Sequence, residues 1–229
     1  MPNIRLQEYT TKIGKLIRDN RQDEAIAHCL HILHLYPKHI QSYRLLGEAC
    51  LQKESLLEAR DCFQRTLSAD PEDVPAWIGL ASTYEKEGKA AEALWLARRG
   101  LELAASNAEV RRKVQSLRAQ QNGPYQVGTA ENRLKLTRGA LGRVYARNGL
   151  YERAIGEFRA VLQKDSDLPE IRVALAEALW REERLLEAVE VCVELLDKLP
   201  NCLKANLILG TIELHSRERA AGEARLSVA

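Results

Sequence analysis

Residues 43–71 read YRLLGEACLQKESLLEARDCFQRTLSADP, and this stretch decides the fold. An aromatic residue and an alanine from it recur with a spacing of 34 residues, the aromatic at Tyr9, Tyr43 and Trp77 and the alanine at Ala25, Ala59 and Ala93. The spacing resumes at Ala154 and Ala188. Such a period is typical of arrays in which each repeat is a pair of antiparallel helices. No segment shows sustained strand alternation, so the sequence predicts an all-α protein.

The residues at the repeating positions resemble those of a known family. Tyr43, the pair Leu46-Gly47, Ala59 and Phe63 resemble the tetratricopeptide repeat, whose signature is W-x2-L-G-x2-Y followed by A-x3-F and P. The resemblance implies a right-handed superhelix of antiparallel helix pairs, an α-solenoid. The repeats fall at 6–39, 40–73, 74–107, 135–168 and 169–202, with an incomplete or capping repeat at 203–229. The fourth and fifth repeats depart from the pattern, because Arg138 and Arg172 stand in the aromatic slot.

The register breaks between Ala93 and Ala154, which are further apart than one repeat. The first half of the extra stretch, 108–121, has helical spacing and predicts a capping helix, since the end of a repeat stack needs its apolar face covered. Residues 122–134 are rich in turn formers and predict a linker or loop. We therefore expect two modules, 1–121 and 135–229. One continuous superhelix with an inserted surface loop is the alternative.

By resemblance, the first helix of each repeat lines a concave groove that binds an extended peptide. The resemblance implies these partner-binding residues: Arg44, Glu48, Ile78, Ser82, Arg143, Arg147, Glu177, Trp180 and Lys204. We expect the main contact in the second module. A solvated helix face without a ligand is the alternative. The subtype that clamps chaperone tails is disfavoured, because its slots in the first module include Thr10 and Gly14, which cannot donate a charged hydrogen bond to a carboxylate.

Positive charge is concentrated between Arg98 and Arg147, although the formal net charge is only +2. The stretch includes a basic edge formed by Arg111, Arg112 and Lys113. A solvated face, an acidic segment of a protein partner and nucleic acid are three interpretations of this asymmetry. Nucleic acid is disfavoured, because few aromatic residues interleave with the basic ones and no recognition motif occurs.

Several classes of protein are disfavoured by what the sequence lacks. It contains no G-x-S-x-G, P-loop, G-x-G-x-x-G or H-E-x-x-H motif, so we predict no enzyme and no cofactor. The triplet His28, His31 and His34 lacks the spacing of a helical zinc pair, and we expect no metal site. The five cysteines show no C-x-x-C pair and are interpreted as buried apolar residues. No apolar run approaches the ~18–20 residues of a membrane span, and the start lacks a signal-peptide core, which favours the cytoplasm.

The sequence therefore predicts a non-catalytic scaffold or adaptor that binds a peptide or helix of a partner protein in its groove. A second interpretation is a recognition or regulatory module of a longer enzyme or regulator that continues beyond residue 229. Self-association through the terminal faces of the repeat stack is a third.

Overall fold

The computed structural model describes residues 6–122 and 137–215, and every regular element in these ranges is an α-helix. The helices are α1 Leu6–Arg18, α2 Gln22–Leu35, α3 Ile40–Gln52, α4 Leu56–Ala69, α5 Val74–Lys86, α6 Ala90–Leu103, α7 Ala108–Asn122, α8 Arg138–Arg147, α9 Tyr151–Leu162, α10 Pro169–Arg181, α11 Leu185–Lys198 and α12 Leu203–His215. The all-α prediction is confirmed. Most of the predicted linker and the end of the last repeat lie outside the described residues.

The chain divides into two compact units. Unit 1 contains α1–α7 and unit 2 contains α8–α12, with the short stretches Ser68–Glu72 and Glu102–Ala105 grouped with unit 2. In unit 1, α1 packs on α2 and α3, and α3 packs on α5. In unit 2, successive helices from α8 to α12 pack on one another, and α10 also contacts α8 and α12. In both units the first helices of consecutive repeats are therefore neighbours.

The turn between the two helices of a repeat has the same geometry each time. Its central residue has a positive φ at Asn20, Glu54, Gly88, Gly149 and Glu183. The next amide donates to the carbonyl five residues back, as from Lys89 to Tyr84 at 2.9 Å and from Leu150 to Tyr145 at 3.0 Å. This bond satisfies a carbonyl that the end of the helix would leave unpaired. The turns lie at residues 19–20, 53–54, 87–88, 148–149 and 182–183 and thus keep the repeat spacing within each unit.

A glycine opposite a phenylalanine brings the two helices of a repeat together. A Cβ on Gly47 would lie 2.9 Å from the ring of Phe63, and a Cβ on Gly142 would lie 2.7 Å from the ring of Phe158. Both rings are fully buried. Because only glycine leaves room for the ring, the Leu-Gly and A-x3-F parts of the repeat signature describe one contact.

The five cysteines are buried and free, as their interpretation as apolar residues requires. Burial raises the pKa of the Cys29 thiol and of the Cys62 thiol to about 12. These thiols therefore stay protonated and behave as small apolar side chains. None of the helices in the described ranges is both long and apolar enough to cross a membrane.

Candidate functional site

The first helices of the three repeats in unit 1 enclose an open cleft of about 400 Å³. Residues of α1, α3 and α5 form its walls, and the ring of Phe63 from α4 contributes to its floor: Gly14, Ile17, Arg18, Arg44, Leu45, Glu48, Leu51, Gln52, Phe63, Pro75 and Gly79. The cleft combines apolar and charged side chains. Clefts of this composition are suited to binding an apolar group while fixing its orientation through polar contacts.

Two glycines line this cleft, and they differ in what surrounds them. A Cβ on Gly79 would lie 2.3 Å from the ring of Phe63, so only glycine is accommodated above the ring. A Cβ on Gly14 would come no closer than 3.9 Å to any neighbouring atom, so a side chain is accommodated there without a clash. Gly79 is thus required by packing, whereas Gly14 leaves volume that a larger side chain would fill.

The charged groups of the cleft differ in how they are paired. Arg44 donates from Nη1 to Asp73 at 3.2 Å, and Asp73 also accepts the Ala76 amide at 2.8 Å as the N-cap of α5. Glu48 lies one turn after Arg44 on α3 and is half-buried. Burial raises the pKa of the Glu48 carboxyl, and the positive charges of Arg44 and Arg18 offset this only in part. Glu48 is therefore the acid of the cleft whose charge is least compensated.

The structure places the other predicted groove residues of unit 1 along α5. Ser82 is half-buried, and Ile78 lies against the backbone of α6, where a Cβ on Gly100 would be 3.1 Å from its Cδ1. Neither residue lines the cleft. Of the predicted groove residues of unit 1, Arg44 and Glu48 line the cleft.

In unit 2, the predicted groove residues contact groups of the protein itself. Lys204 donates to Glu177 at 2.8 Å and to Glu72 at 2.5 Å. Arg143 pairs with Glu72 and donates to the Glu170 carbonyl at 2.9 Å. Burial works to raise the pKa of Glu72, but Arg143 and Lys204 together hold it below its usual value. A ligand acid at Arg143 or Lys204 would have to compete with these internal carboxylates.

The remaining predicted residues of unit 2 lie in different surroundings. Arg147 is exposed. Trp180 is half-buried, packs against the apolar core of unit 2, and has the Arg181 guanidinium 4.9 Å from its ring centre. Trp180 therefore has a structural contact in addition to any role in binding.

The basic edge is also partly neutralised within unit 1. Lys113 on α7 pairs with Glu85 on α5. Burial works to raise the pKa of Glu85, but hydrogen bonds from Lys113 and Gln120 outweigh it and lower that pKa. Arg111 donates to the Ser106 carbonyl at 3.4 Å, and Arg112 is exposed. The local positive charge available to a partner is thus smaller than the sequence indicates.

The histidine triplet on α2 shows no metal-site arrangement. His28 Nδ1 lies 2.7 Å from the Tyr9 hydroxyl, and the two rings meet edge to face. Within residues 6–122 and 137–215, no three His, Cys, Asp or Glu side chains are grouped so that they could hold a metal ion.

Unit 1 has a second cleft, of about 520 Å³ beside Trp95, which was not predicted from the sequence. Trp95 is 54% exposed, and Arg99 lies between its ring at 4.6 Å and the ring of Trp77 at 5.0 Å. The exposure of Trp95 could have been predicted from its spacing to Ala93 in the sequence. Trp95 follows the buried Ala93 by two residues, which turns it by roughly 200° around the helix, toward solvent.

Sequence comparison finds similarity to a much larger protein. Superkiller complex protein 3 from Mus musculus is 31% identical over 70 residues, which is 31% of this chain and 4% of that protein. The Homo sapiens protein is 29% identical over the same length and coverage. The chain thus matches only a small part of these curated relatives.

Solved structures with a similar helical arrangement share little sequence. The TPR2AB domain of yeast Sti1 in a complex with pHSP90 has a TM-score of 0.46 and 16% identity, over 97% of this chain and 88% of that one. YrrB, a TPR protein with an unusual peptide-binding site, has a TM-score of 0.42 and 20% identity, over 92% of this chain and 91% of that one.

The family assignment rests on the sequence profile of the tetratricopeptide repeat. The profile matches residues 44–108 and 140–201, together more than half of the chain. These ranges include both glycine–phenylalanine contacts and four of the five positive-φ turns that recur with the repeat spacing. The protein is a helical repeat of the kind that serves in protein–protein interaction, and the chain belongs to the tetratricopeptide repeat family.

Proposed function

We propose that this protein is a non-catalytic adaptor that binds an extended segment of a partner protein in the cleft of unit 1. The observation that carries the proposal is the cleft itself, which is open to solvent across three first helices. Its mixture of apolar and charged lining residues supports recognition of a side chain through shape and charge, without bond chemistry.

Binding of a flexible segment fits the size of the site. A cleft of about 400 Å³ holds one or two side chains rather than a folded domain. A partner segment that is disordered when free loses entropy as it binds, which limits its affinity and favours exchange between partners. These properties support an adaptor role.

Photo-cross-linking from the rim of the cleft tests the proposal. A photoreactive residue replaces Gln52, which is exposed and lines the cleft, in the full chain. Gly14→Leu in the same chain places a large side chain in the part of the cleft beside α1 and should therefore abolish the cross-link to the partner segment. Gly156→Leu is the matched control, because a Cβ there meets no atom within 4 Å and the residue lies on α9 in unit 2.

The result expected is a partner peptide cross-linked at residue 52 in the parent and in the Gly156→Leu variant, and lost in the Gly14→Leu variant. An unchanged cross-link in the Gly14→Leu variant would show that the partner lies outside the cleft and would overturn the proposal. The circular dichroism of both leucine variants should match that of the parent.

The predicted contacts of unit 2 and the acidic partner stay predictions. Exposed cations at Arg112 and Arg147 support an acidic segment. The internal pairs of Arg143 and Lys113 weaken that support. Replacing the exposed Arg147 by glutamate should weaken capture of an acidic partner if unit 2 binds it there, and should leave capture unchanged if it does not.

A further inference from the structure

The charge pairing in the cleft of unit 1 leaves one acid without an ion pair. Asp73 is occupied by Arg44 and by the first turn of α5. Within the described part of the chain, Glu48 forms an ion pair with neither Arg44 nor Arg18, although both lie near enough to influence it. The cleft therefore presents a half-buried carboxylate beside apolar walls.

Unit 2 shows which group satisfies a glutamate at this repeat position. Glu48 and Glu177 both occupy the ninth position of their repeats. Glu177 is bound at 2.8 Å by Lys204, which occupies the second position of the following repeat. The matching residue in unit 1 is Pro75, which lines the cleft and has no hydrogen-bond donor. The ammonium that this repeat position supplies in unit 2 thus has no counterpart at the same position in unit 1, where Arg44 and Arg18 are near Glu48 but form no ion pair with it in the described part of the chain.

The walls around Glu48 suit a long side chain with a charged end. Leu45, Leu51 and Pro75 line the same cleft. Lysine and arginine bury their methylene groups against apolar surface while the charged end reaches a polar group. A wholly apolar side chain would remove water from Glu48 without replacing its hydrogen bonds, and an acidic side chain would add a second negative charge beside it.

We infer that the cleft of unit 1 takes a lysine or arginine side chain of the bound segment, with its stem against Leu45 and Leu51 and its charged end on the Glu48 carboxylate. The inference rests on the proposed function and names the chemistry of the partner. The partner segment supplies from outside the cation that Lys204 supplies within unit 2.

A peptide titration followed by NMR tests the inference on the full chain. The probes are short blocked alanine peptides whose central residue is lysine, norleucine or glutamate. The amide signals of Gly14 and Gly79, on opposite sides of the cleft, report binding in the millimolar range. The lysine peptide should bind more tightly than the norleucine peptide by about tenfold, the lower end of the value of a hydrogen bond to a charged group.

Two variants locate the cation. Glu48→Gln keeps the shape of the side chain and should reduce the affinity for the lysine peptide to that for the norleucine peptide. Glu58→Gln is the control. Glu58 is exposed on α4, so this substitution removes the same charge from a position outside the cleft. Pro75→Lys should place an internal ammonium on Glu48, as in unit 2, and should also weaken the lysine peptide.

The inference would be overturned by equal binding of the lysine and norleucine peptides, by tighter binding of the glutamate peptide, or by an unchanged affinity for the lysine peptide in the Glu48→Gln variant. The absence of any shift at Gly14 and Gly79 would overturn it as well. The proposed function is tested separately. If Gly14→Leu abolishes the cross-link from residue 52 while Glu48→Gln leaves it intact, the cleft binds the partner and only its preference for a cation is wrong.

Discussion

Unit 1 and unit 2 are built on the same helix contact but differ directly beside it. Phe63 packs against Gly47 in unit 1, as Phe158 packs against Gly142 in unit 2. On its other side, Phe63 meets Gly79 of the next repeat, whereas the matching residue in unit 2 is Ala174. The contact within a repeat is thus the same in both units, while the contact between repeats varies.

The groove positions differ more than the packing positions do. Glu48 and Glu177 occupy the same repeat position, yet Glu48 shares its cleft with Pro75 whereas Glu177 is bound by Lys204. Packing positions are limited by volume, because helices can approach only where a small residue faces a large one. Groove positions face solvent or a ligand, so the two units can differ there without losing the fold.

The largest effects are expected when the shared contact is removed. Phe63→Ala and Phe158→Ala should each lower the free energy of unfolding of their own unit by about 3–5 kcal/mol, because each empties a fully buried aromatic site. Residue-resolved hydrogen exchange measures the loss separately in each unit. Equal loss of protection throughout the chain from either variant would show that the units unfold together, and would remove the distinction between them.

The second effect concerns the contact between Phe63 and Gly79 in unit 1, where unit 2 has Ala174 in place of the glycine. Gly79→Ala should lower the free energy of unfolding of unit 1 by about 1–3 kcal/mol, because the ring of Phe63 is held between Gly47 and Gly79 and cannot move aside. Denaturant unfolding measures the change.

The double variant Gly79→Ala/Phe63→Leu should recover part of that loss, because leucine leaves room for the added methyl group. Gly14→Ala is the control on α1, and it should not destabilise, because its Cβ has free space. Simple additivity in the double variant would contradict the proposed clash.

The helices and turns could be predicted from the sequence because each repeat packs in the same way, so the same residue types recur at the same positions. Ala59 alone is weak evidence, but the recurrence of this alanine every 34 residues, at Ala25, Ala59 and Ala93, is strong. The positive-φ turns follow from the same register, and the structure has this geometry even at Glu54 and Glu183, where no glycine signals it.

The surroundings of the candidate site could be predicted only in part. Arg44 and Glu48 were placed on the groove helices by register. Their different pairing depends on Asp73, which is distant in sequence and also caps α5. The internal pairing of Arg143 and Lys204 likewise depends on Glu72. Register predicts which face a residue occupies, but not which long-range partner neutralises its charge.

The third effect concerns the turns, where unit 2 has a glycine at one position and a glutamate at the matching one. Gly149→Ala should lower the free energy of unfolding of unit 2 by about 1–2 kcal/mol, because φ is +74° and a Cβ is strained there. Glu183→Gly should have the opposite sign, because φ is +62° at a residue with a side chain. Thermal unfolding measures both. A loss of stability on Glu183→Gly would mean that the gain in chain entropy of the unfolded state outweighs the relieved strain.

The smallest effect separates the two units at a position that faces solvent in both. Trp95 and Gly156 occupy the same position of their repeats, and both are exposed. A Cβ on Gly156 meets no atom within 4 Å, so Gly156→Ala changes only the helix-forming tendency of α9. It should raise the free energy of unfolding of unit 2 by about 0.5–1 kcal/mol, measured by denaturant unfolding. Because packing places no limit on this position, one unit can present a tryptophan and the other no side chain at all. A destabilising Gly156→Ala would show that a contact limits the position in unit 2, and the variation between the units would then need a packing explanation.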